Sequence, residues 1–134
     1  MILVQNGKVV FDSARRFHDP VSVVEMAFRC SYKVNSLSAL LGVSARHLER
    51  MFYETLGISP KAWLREQRMV RARYLLREGF PLKHISVFLG FKRYTHFISE
   101  VQAFYGVSPV EMVDMEKKRC NRLDKEPVHG MPLL

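Results

Sequence analysis

The sequence contains two related stretches, LSALLGVSARHLERMFYETLGISP at residues 37–60 and ISVFLGFKRYTHFISEVQAFYGVSP at residues 85–109. Each begins with an apolar residue and a serine, passes a glycine between apolar residues and closes with Gly-apolar-Ser-Pro. The small serine lets two helices approach closely, and Gly42 and Gly90 allow a tight turn with positive φ. The repetition therefore predicts two helix-turn-helix units, and it is a stronger signal than either copy alone.

The segment between the two copies predicts one long connecting helix. Ser59 is a favourable cap, Pro60 suits the first turn, and Gly79 ends the apolar periodicity. A helix of about twenty residues spans roughly 30 Å. Recognition helices that read one face of B-DNA lie about 34 Å apart. A linker helix of this length therefore suits two units that read neighbouring turns of DNA.

The predicted fold class is all-α, with about seven helices and two helix-turn-helix subdomains joined by the long linker helix. Asn6-Gly7 between two short apolar runs predicts a small N-terminal hairpin. Asp19 followed by Pro20 predicts the start of the first helix. We expect the chain to divide into a lead-in (1–18), a first subdomain (19–59), the linker helix (60–79), a second subdomain (80–116) and a basic, disordered tail (117–134).

The distribution of charge favours a polyanionic partner. The 134-residue chain carries a formal net charge of +8. Between Arg46 and Arg93 the sequence has eleven basic and four acidic residues, which give this stretch a net charge of +7. Such a concentration indicates nucleic acid first and an anionic membrane surface second, although a solvated basic face has the same composition.

Other function classes find little support in the sequence. Cys30 and Cys120 lack metal-ligand spacing and are expected to be free thiols, and the five histidines form no metal-binding pattern. The sequence has neither a phosphate-binding loop nor a nucleophile elbow. We therefore expect no enzymatic activity, no metal and no cofactor. No stretch approaches the length of a membrane span, roughly 20 apolar residues, so we expect a cytoplasmic, nucleoid-associated protein with no membrane partner.

The sequence resembles the DNA-binding domain of the AraC/XylS family of transcription regulators. The resemblance covers more than half of the chain and implies a seven-helix, two-subdomain fold that reads two successive major grooves. The residues that carry it are Gly42-Val-Ser44, Leu48-Glu-Arg50-Met-Phe52, Gly57-Ile-Ser-Pro60, Leu64, Arg68, Ala72, Leu75-Leu76, Ile85, Gly90-Phe91, Phe97 and Gly106-Val-Ser-Pro109.

The resemblance implies that the first recognition helix presents Arg46, Glu49 and Arg50 to the bases. The chemistry of these side chains agrees, because arginine can bond guanine in a bidentate manner and glutamate can accept a hydrogen bond from cytosine N4. Glu49 has an alternative role as an intrahelical partner of Arg46 or Tyr53.

Other residues are expected to support binding rather than to read bases. His47 and Lys61 are expected to contact the DNA backbone. Arg68 matches the arginine of the family's linker helix, for which we expect a structural role, and Gly42 and Gly90 are expected to shape the two turns.

The second recognition helix departs from the family pattern. Ser99 stands where the family usually has an arginine, and Glu100 beside it adds a charge that phosphate repels. We therefore expect the first unit to dominate. The remaining candidates are Tyr94, Thr95 and Ser99 for base contacts, and Lys92, Arg93 and His96 for backbone contacts. The run from His96 to Glu100 is also similar to regulators of type III secretion genes, which suggests a virulence-gene regulator with a protein partner.

The function expected from these observations is a sequence-specific regulator of transcription that reads two adjacent major grooves of double-stranded DNA. RNA polymerase and a protein co-regulator are the further partners expected. The alternatives are an interaction module that keeps the fold but regulates by binding another protein, and a charge-driven binder of any nucleic acid. The 36 residues before Leu37 are too few for an effector-binding domain. We therefore expect no small-molecule ligand, and the chain is either a short regulator or a fragment of a longer one.

Overall fold

The computed structural model describes residues 1–13 and 19–123, with the backbone alone for residues 120–123. It divides into two compact units between Arg68 and Met69. The described part of the chain contains three short strands and seven helices, so the predicted all-α class with a small hairpin is confirmed. The elements are β1 (Ile2–Gln5), β2 (Lys8–Phe11), β3 (Val21–Ser22), α1 (Val23–Arg29), α2 (Val34–Leu41), α3 (Ala45–Leu56), α4 (Pro60–Arg77), α5 (Leu82–Phe88), α6 (Tyr94–Tyr105) and α7 (Pro109–Leu123).

The N-terminal hairpin forms as the Asn-Gly signal predicts. Asn6 and Gly7 both have positive φ, 52° and 76°, as a type I′ turn requires. Ile2 and Phe11 are buried at 2% exposure, and the Thr55 hydroxyl donates to the Ile2 carbonyl at 3.0 Å. The hairpin is therefore built into the core of the first unit and is more than the lead-in predicted from the sequence.

The start of α1 differs from the prediction. Val21 and Ser22 form β3, which pairs with β2 and keeps the backbone extended through Ser22. The helix can begin only after this pairing ends, and the Ser22 hydroxyl accepts from the Glu25 N–H at 3.3 Å. Ser22 is therefore the cap, and the expected start at Asp19 and Pro20 is wrong.

The first unit is closed by apolar side chains from every one of its helices. Leu37, Leu48 and Phe52 have no measurable exposure, and Trp63 at the start of α4 packs its ring edge-on against Phe52 with 5.3 Å between centroids. Such edge-to-face aromatic pairs add about 0.5–1.5 kcal/mol beyond their buried area. The packing fixes α3 through one side and leaves its other side to solvent.

The second unit is built in the same way around α5 and α6. Ile85, Phe97 and Val101 are buried, and the Tyr105 hydroxyl donates to the Met69 carbonyl at 2.7 Å. That bond joins the last turn of α6 to α4 within the unit.

The final helix is longer than the sequence predicts. α7 runs from Pro109 to Leu123, so residues 117–123 are helical where the sequence analysis placed the start of a disordered tail. The rest of that expected tail, residues 124–134, lies outside the described residues.

Candidate nucleic-acid interface

The two helix-turn-helix turns share one hydrogen-bonding pattern. Gly42 has φ 73° and Gly90 has φ 81°. In the first turn the Val43 N–H donates to the carbonyl of Ser38, and in the second the Phe91 N–H donates to the carbonyl of Ser86, both at 3.0 Å. These bonds, with those from the glycine N–H groups, form Schellman motifs that satisfy the last carbonyls of α2 and α5.

Each copy of the repeat has its small serine side chain at a buried position. Ser38 and Ser86 are buried at 6% and 2% exposure between the paired helices. The Ser38 hydroxyl donates to the carbonyl of Asn35 at 2.9 Å, which satisfies its polar group inside the unit. The internal repeat seen in the sequence is thus a repeat of the backbone geometry.

The second helix of each pair begins and ends by local rules. The Ser44 hydroxyl accepts from the His47 N–H at 3.0 Å, and Gly57 ends α3 with φ 73°. Gly106 ends α6 with φ 77°. Arg93 precedes α6 without a side-chain cap, so the start of the second helix lacks the serine cap of the first.

The side chains that were expected to read bases on α3 all lie on its exposed side. Leu48, Met51 and Phe52 face the core, whereas Arg46, His47, Glu49 and Arg50 are exposed. Of the described residues, neither Arg46 nor Tyr53 forms a hydrogen bond or ion pair with Glu49. The α3 surface therefore offers two guanidinium donors and one carboxylate acceptor to a ligand.

The exposed side of α6 is less suited to base contacts. Thr95 and Ser99 are exposed, but Tyr94 is half-buried, with its ring 6.2 Å from that of Phe97. Ser99 presents only a short hydroxyl group.

His96 is engaged within its own unit. Its ring meets the Phe91 ring edge-on at 5.3 Å, and its Nε2 lies 3.8 Å from Oε1 of Glu100. Lys92 and Arg93 just before α6 are exposed. The second unit therefore combines the scaffold of a recognition helix with fewer long donors, and the expected backbone contacts at these positions stay predictions.

The positive charge lies mainly on the linker helix rather than on the recognition helices. α3 carries two arginines and two glutamates, whereas α4 carries six basic residues and one acidic residue. Lys61 and Arg65 on α4 are exposed. Arg65 is not among the site residues predicted from the sequence, although the density of basic residues in α4 was a signal for it.

Arg68 lies in the first unit and is half-buried. Its guanidinium carbon is 6.0 Å from the centre of the Tyr32 ring, within the range of a cation–π contact. Tyr32 follows the end of α1, where the Tyr32 N–H donates to Ala27 and Ser31 has φ 52°. This contact is compatible with the structural role expected for Arg68.

The described residues form neither a metal site nor a membrane span. In residues 1–13 and 19–119, no three His, Cys, Asp or Glu side chains lie close enough to hold a metal ion. Over the described segments, no helix combines the length and the apolar character that a membrane span needs.

Comparison with known proteins agrees with this geometry. The sequence model of a family described as a helix-turn-helix domain matches residues 37–115. The chain belongs to the AraC-type helix-turn-helix family. The resemblance noted in the sequence is therefore confirmed, and the family consists of transcription regulators rather than enzymes.

Individual relatives of this AraC-type chain match it over only part of their own length. The chain is 26% identical over 95 residues to the transcriptional regulator GbdR of Pseudomonas aeruginosa, which covers 70% of this chain and 26% of GbdR. It is 27% identical over 79 residues to the virulence regulon transcriptional activator VirF of Yersinia enterocolitica, covering 58% of this chain and 29% of VirF. The chain thus spans about a quarter of the length of these curated relatives.

A solved structure similar to this AraC-type chain contains DNA. It is the DNA-binding domain of the global transcriptional factor AdpA in complex with a target DNA. The TM-score is 0.63 at 25% identity, and the match covers 72% of this chain and 91% of that domain.

Proposed function

We propose that this chain is a sequence-specific regulator of transcription that binds double-stranded DNA with α3 and α6 in two adjacent major grooves. The observation that carries the proposal is the exposed side of α3, where Arg46, Glu49 and Arg50 stand opposite a fully buried apolar side. The likeness to a domain solved on its target DNA supports the same reading.

The first unit supplies most of the base recognition. α3 offers long donors and an acceptor, whose bidentate or complementary pairs each discriminate by about 1–3 kcal/mol. α6 offers Thr95 and Ser99, which reach less far, and half-buried Glu100 lies beside them. The basic linker helix contributes sequence-independent attraction to phosphate, which depends steeply on salt.

The proposed function includes a location in the cell, partners and a class of target genes. A regulator of this kind acts in the cytoplasm on the nucleoid, without enzymatic activity, and works through RNA polymerase or a protein co-regulator. The similarity to VirF supports virulence genes as a class of target.

The first experiment is a titration of the whole chain with duplexes chosen by footprinting and with random duplexes, at several salt concentrations. Sequence-specific binding leaves a clear preference at physiological salt. Equal affinities with a steep salt dependence would instead indicate binding through charge alone. An absence of useful DNA affinity together with a tight protein complex would indicate an interaction module.

The role of Arg50 is tested by Arg50→Ala. We expect binding weaker by about 1–3 kcal/mol and a relaxed preference at one base pair. Arg29→Ala is the matched control, because Arg29 is an exposed arginine on α1 of the same unit. A loss that is equal for all sequences would make Arg50 a phosphate contact.

The role of the second unit is tested by Ser99→Arg, which restores the residue usual in the family. We expect tighter binding to the footprinted duplex. Ser36→Arg adds the same charge to an exposed position of α2 and controls for general attraction to DNA. Affinity that stays equal to that of the control would show that α6 does not enter the groove.

A further inference from the structure

The outer side of α5 is an exposed apolar surface. Val87 is 75% exposed and Phe88 52%, and Phe80 just before the helix is 51% exposed. We call these three residues, together with His84, the outer α5 face. Soluble proteins expose clustered large apolar side chains mainly at interaction sites.

The outer α5 face lies on the side of the helix away from its most buried residues. Ile85, Ser86 and Leu89 are the buried residues on the inner side of this segment. His84, Val87 and Phe88 follow the i, i+3, i+4 spacing of a helical stripe on the other side. Val87 is 75% exposed, so the packing of the unit alone does not account for an apolar residue at this position.

A groove lies along the outer α5 face. It has a volume of about 270 Å³ and is lined by Leu75, Phe80, His84, Ile85 and Phe88. A cavity of roughly 150 Å³ holds one benzene ring. The groove is therefore large enough for an aromatic side chain and part of a second apolar side chain.

The charge around the groove indicates the character of what binds there. Between the acidic residues Glu78 and Glu100, the charged residues are Lys83, Lys92 and Arg93, all of them exposed. Lys83 lies on α5 itself, one turn before Val87. A ligand that buries apolar side chains here while presenting carboxylates at its edge is complementary to both the groove and its surroundings.

We propose that the outer α5 face binds an amphipathic helix of a partner protein, which inserts apolar anchors into the groove and carries Asp or Glu beside them. Helix-in-groove recognition uses this combination of spaced apolar anchors and a polar edge. The inference goes beyond DNA binding. It uses a surface of α5 rather than the exposed sides of α3 and α6, so it stands or fails separately from the proposed function.

The test uses the whole ¹⁵N-labelled chain and two synthetic helical peptides with the same leucine stripe. One peptide flanks the stripe with Glu and the other with Lys. We expect the Glu peptide to bind more tightly and to shift amide signals mainly in residues 80–89. Val87→Glu should weaken that binding about tenfold or more, because it removes an apolar contact beside the groove and adds a charge that repels the glutamates of the peptide. Val110→Glu should change it less than about twofold, since it adds the same charge to a 62% exposed valine of α7.

A charge exchange tests the electrostatic part without altering the groove. Lys83→Glu should weaken the Glu peptide and strengthen the Lys peptide, each by about two- to fivefold. All variants are checked for native circular dichroism and titrated with DNA in the same buffer, where Val87→Glu and Val110→Glu should bind alike.

Several results would overturn the proposal. Failure of both peptides to bind, equal binding of the two, or signals shifted elsewhere would each do so. A concentration-dependent dimer that disappears in Val87→Glu would assign the face to a second copy of the chain. A loss of DNA affinity in Val87→Glu but not in Val110→Glu would assign it to DNA.

Discussion

Glu116 is the buried charge whose replacement should most affect the second unit. Its side chain is only 9% exposed, and its Oε1 accepts from Arg73 Nε at 3.1 Å. Its Oε2 lies 3.1 Å from Arg77 Nε. One carboxylate of α7 thus holds two successive turns of α4. We predict that Glu116→Gln lowers the free energy of unfolding of this unit.

The expected magnitude follows from what the substitution leaves behind. Hydrogen bonds to charged groups contribute about 1.5–3 kcal/mol, and removing one partner of a fully buried ion pair costs about 3–5 kcal/mol. The side chains of Arg73 and Arg77 are 42% and 26% exposed, so water can solvate both guanidinium groups once the carboxylate is gone. We therefore expect a loss near 2 kcal/mol. At about 4 °C per kcal/mol for a chain of this size, Tm falls by about 8 °C.

The assay is urea denaturation at low ionic strength, followed by far-ultraviolet circular dichroism. The single tryptophan, Trp63, lies in the first unit, so its fluorescence is not the readout for this change. Asp114→Asn removes the same charge from an exposed position of α7 and should change stability by less than about 0.5 kcal/mol.

A double-mutant cycle with Arg77→Gln isolates the contact between the two side chains. We expect a coupling free energy of at least about 0.5 kcal/mol. If Glu116→Gln is as stable as the unaltered chain, or if the coupling is zero, the arrangement contributes no net free energy and the reasoning from its burial is refuted.

Four further substitutions test three other features of the fold. Burial raises the pKa of Tyr105 above its usual 10.0, so folding favours the neutral hydroxyl. The stability that this group contributes is fully present below about pH 10 and is lost as the pH rises through the pKa of the folded state. Tyr105→Phe should lower the free energy of unfolding by about 1 kcal/mol at neutral pH, because the hydrogen bond to Met69 is lost. It should also make the decline in stability at alkaline pH less steep, and an unchanged decline would contradict this reasoning. Ser31 and Gly57 both have positive φ. In urea denaturation, Ser31→Gly should therefore stabilise the chain and Gly57→Ala should destabilise it, each by about 1 kcal/mol. The Cβ added at position 57 meets nothing within 4 Å, so changes of the opposite sign would rule out backbone strain as the cause. Thr55→Val removes the bond to the first strand and should speed amide exchange in β1 with little effect on α6, whereas uniform exchange would show that the bond does not anchor the hairpin.

Features that depend on neighbouring residues in the chain were readable from the sequence. The turns at Gly42 and Gly90 were predicted because positive φ is a local demand that glycine meets at little cost. The buried side of α3 was predicted because the apolar residues follow the helical period. The type I′ turn at Asn6-Gly7 follows from the same kind of local preference.

Features that depend on distant partners were not readable. Strand β3 is two residues long and exists because β2 offers it a hydrogen-bonding edge. This pairing keeps Ser22 extended, so α1 starts at Val23. The pairing of Glu116 with Arg73 and Arg77 is likewise a contact between distant parts of the chain.

The sequence by itself determined that this chain has two helix-turn-helix units joined by a basic linker helix, and it indicated the family to which the chain belongs. It also determined the unequal chemistry of α3 and α6, because the identities of Arg50 and Ser99 need no structure. Only the tertiary structure decided which positive charges remain open to a ligand. Eleven basic residues lie between Arg46 and Arg93, and composition alone cannot distinguish them. In the structure, Arg73 and Arg77 pair with the carboxylate of Glu116, more than thirty residues further along the chain. The physical reason is that composition fixes charge, whereas packing fixes which charges are paired and which face solvent.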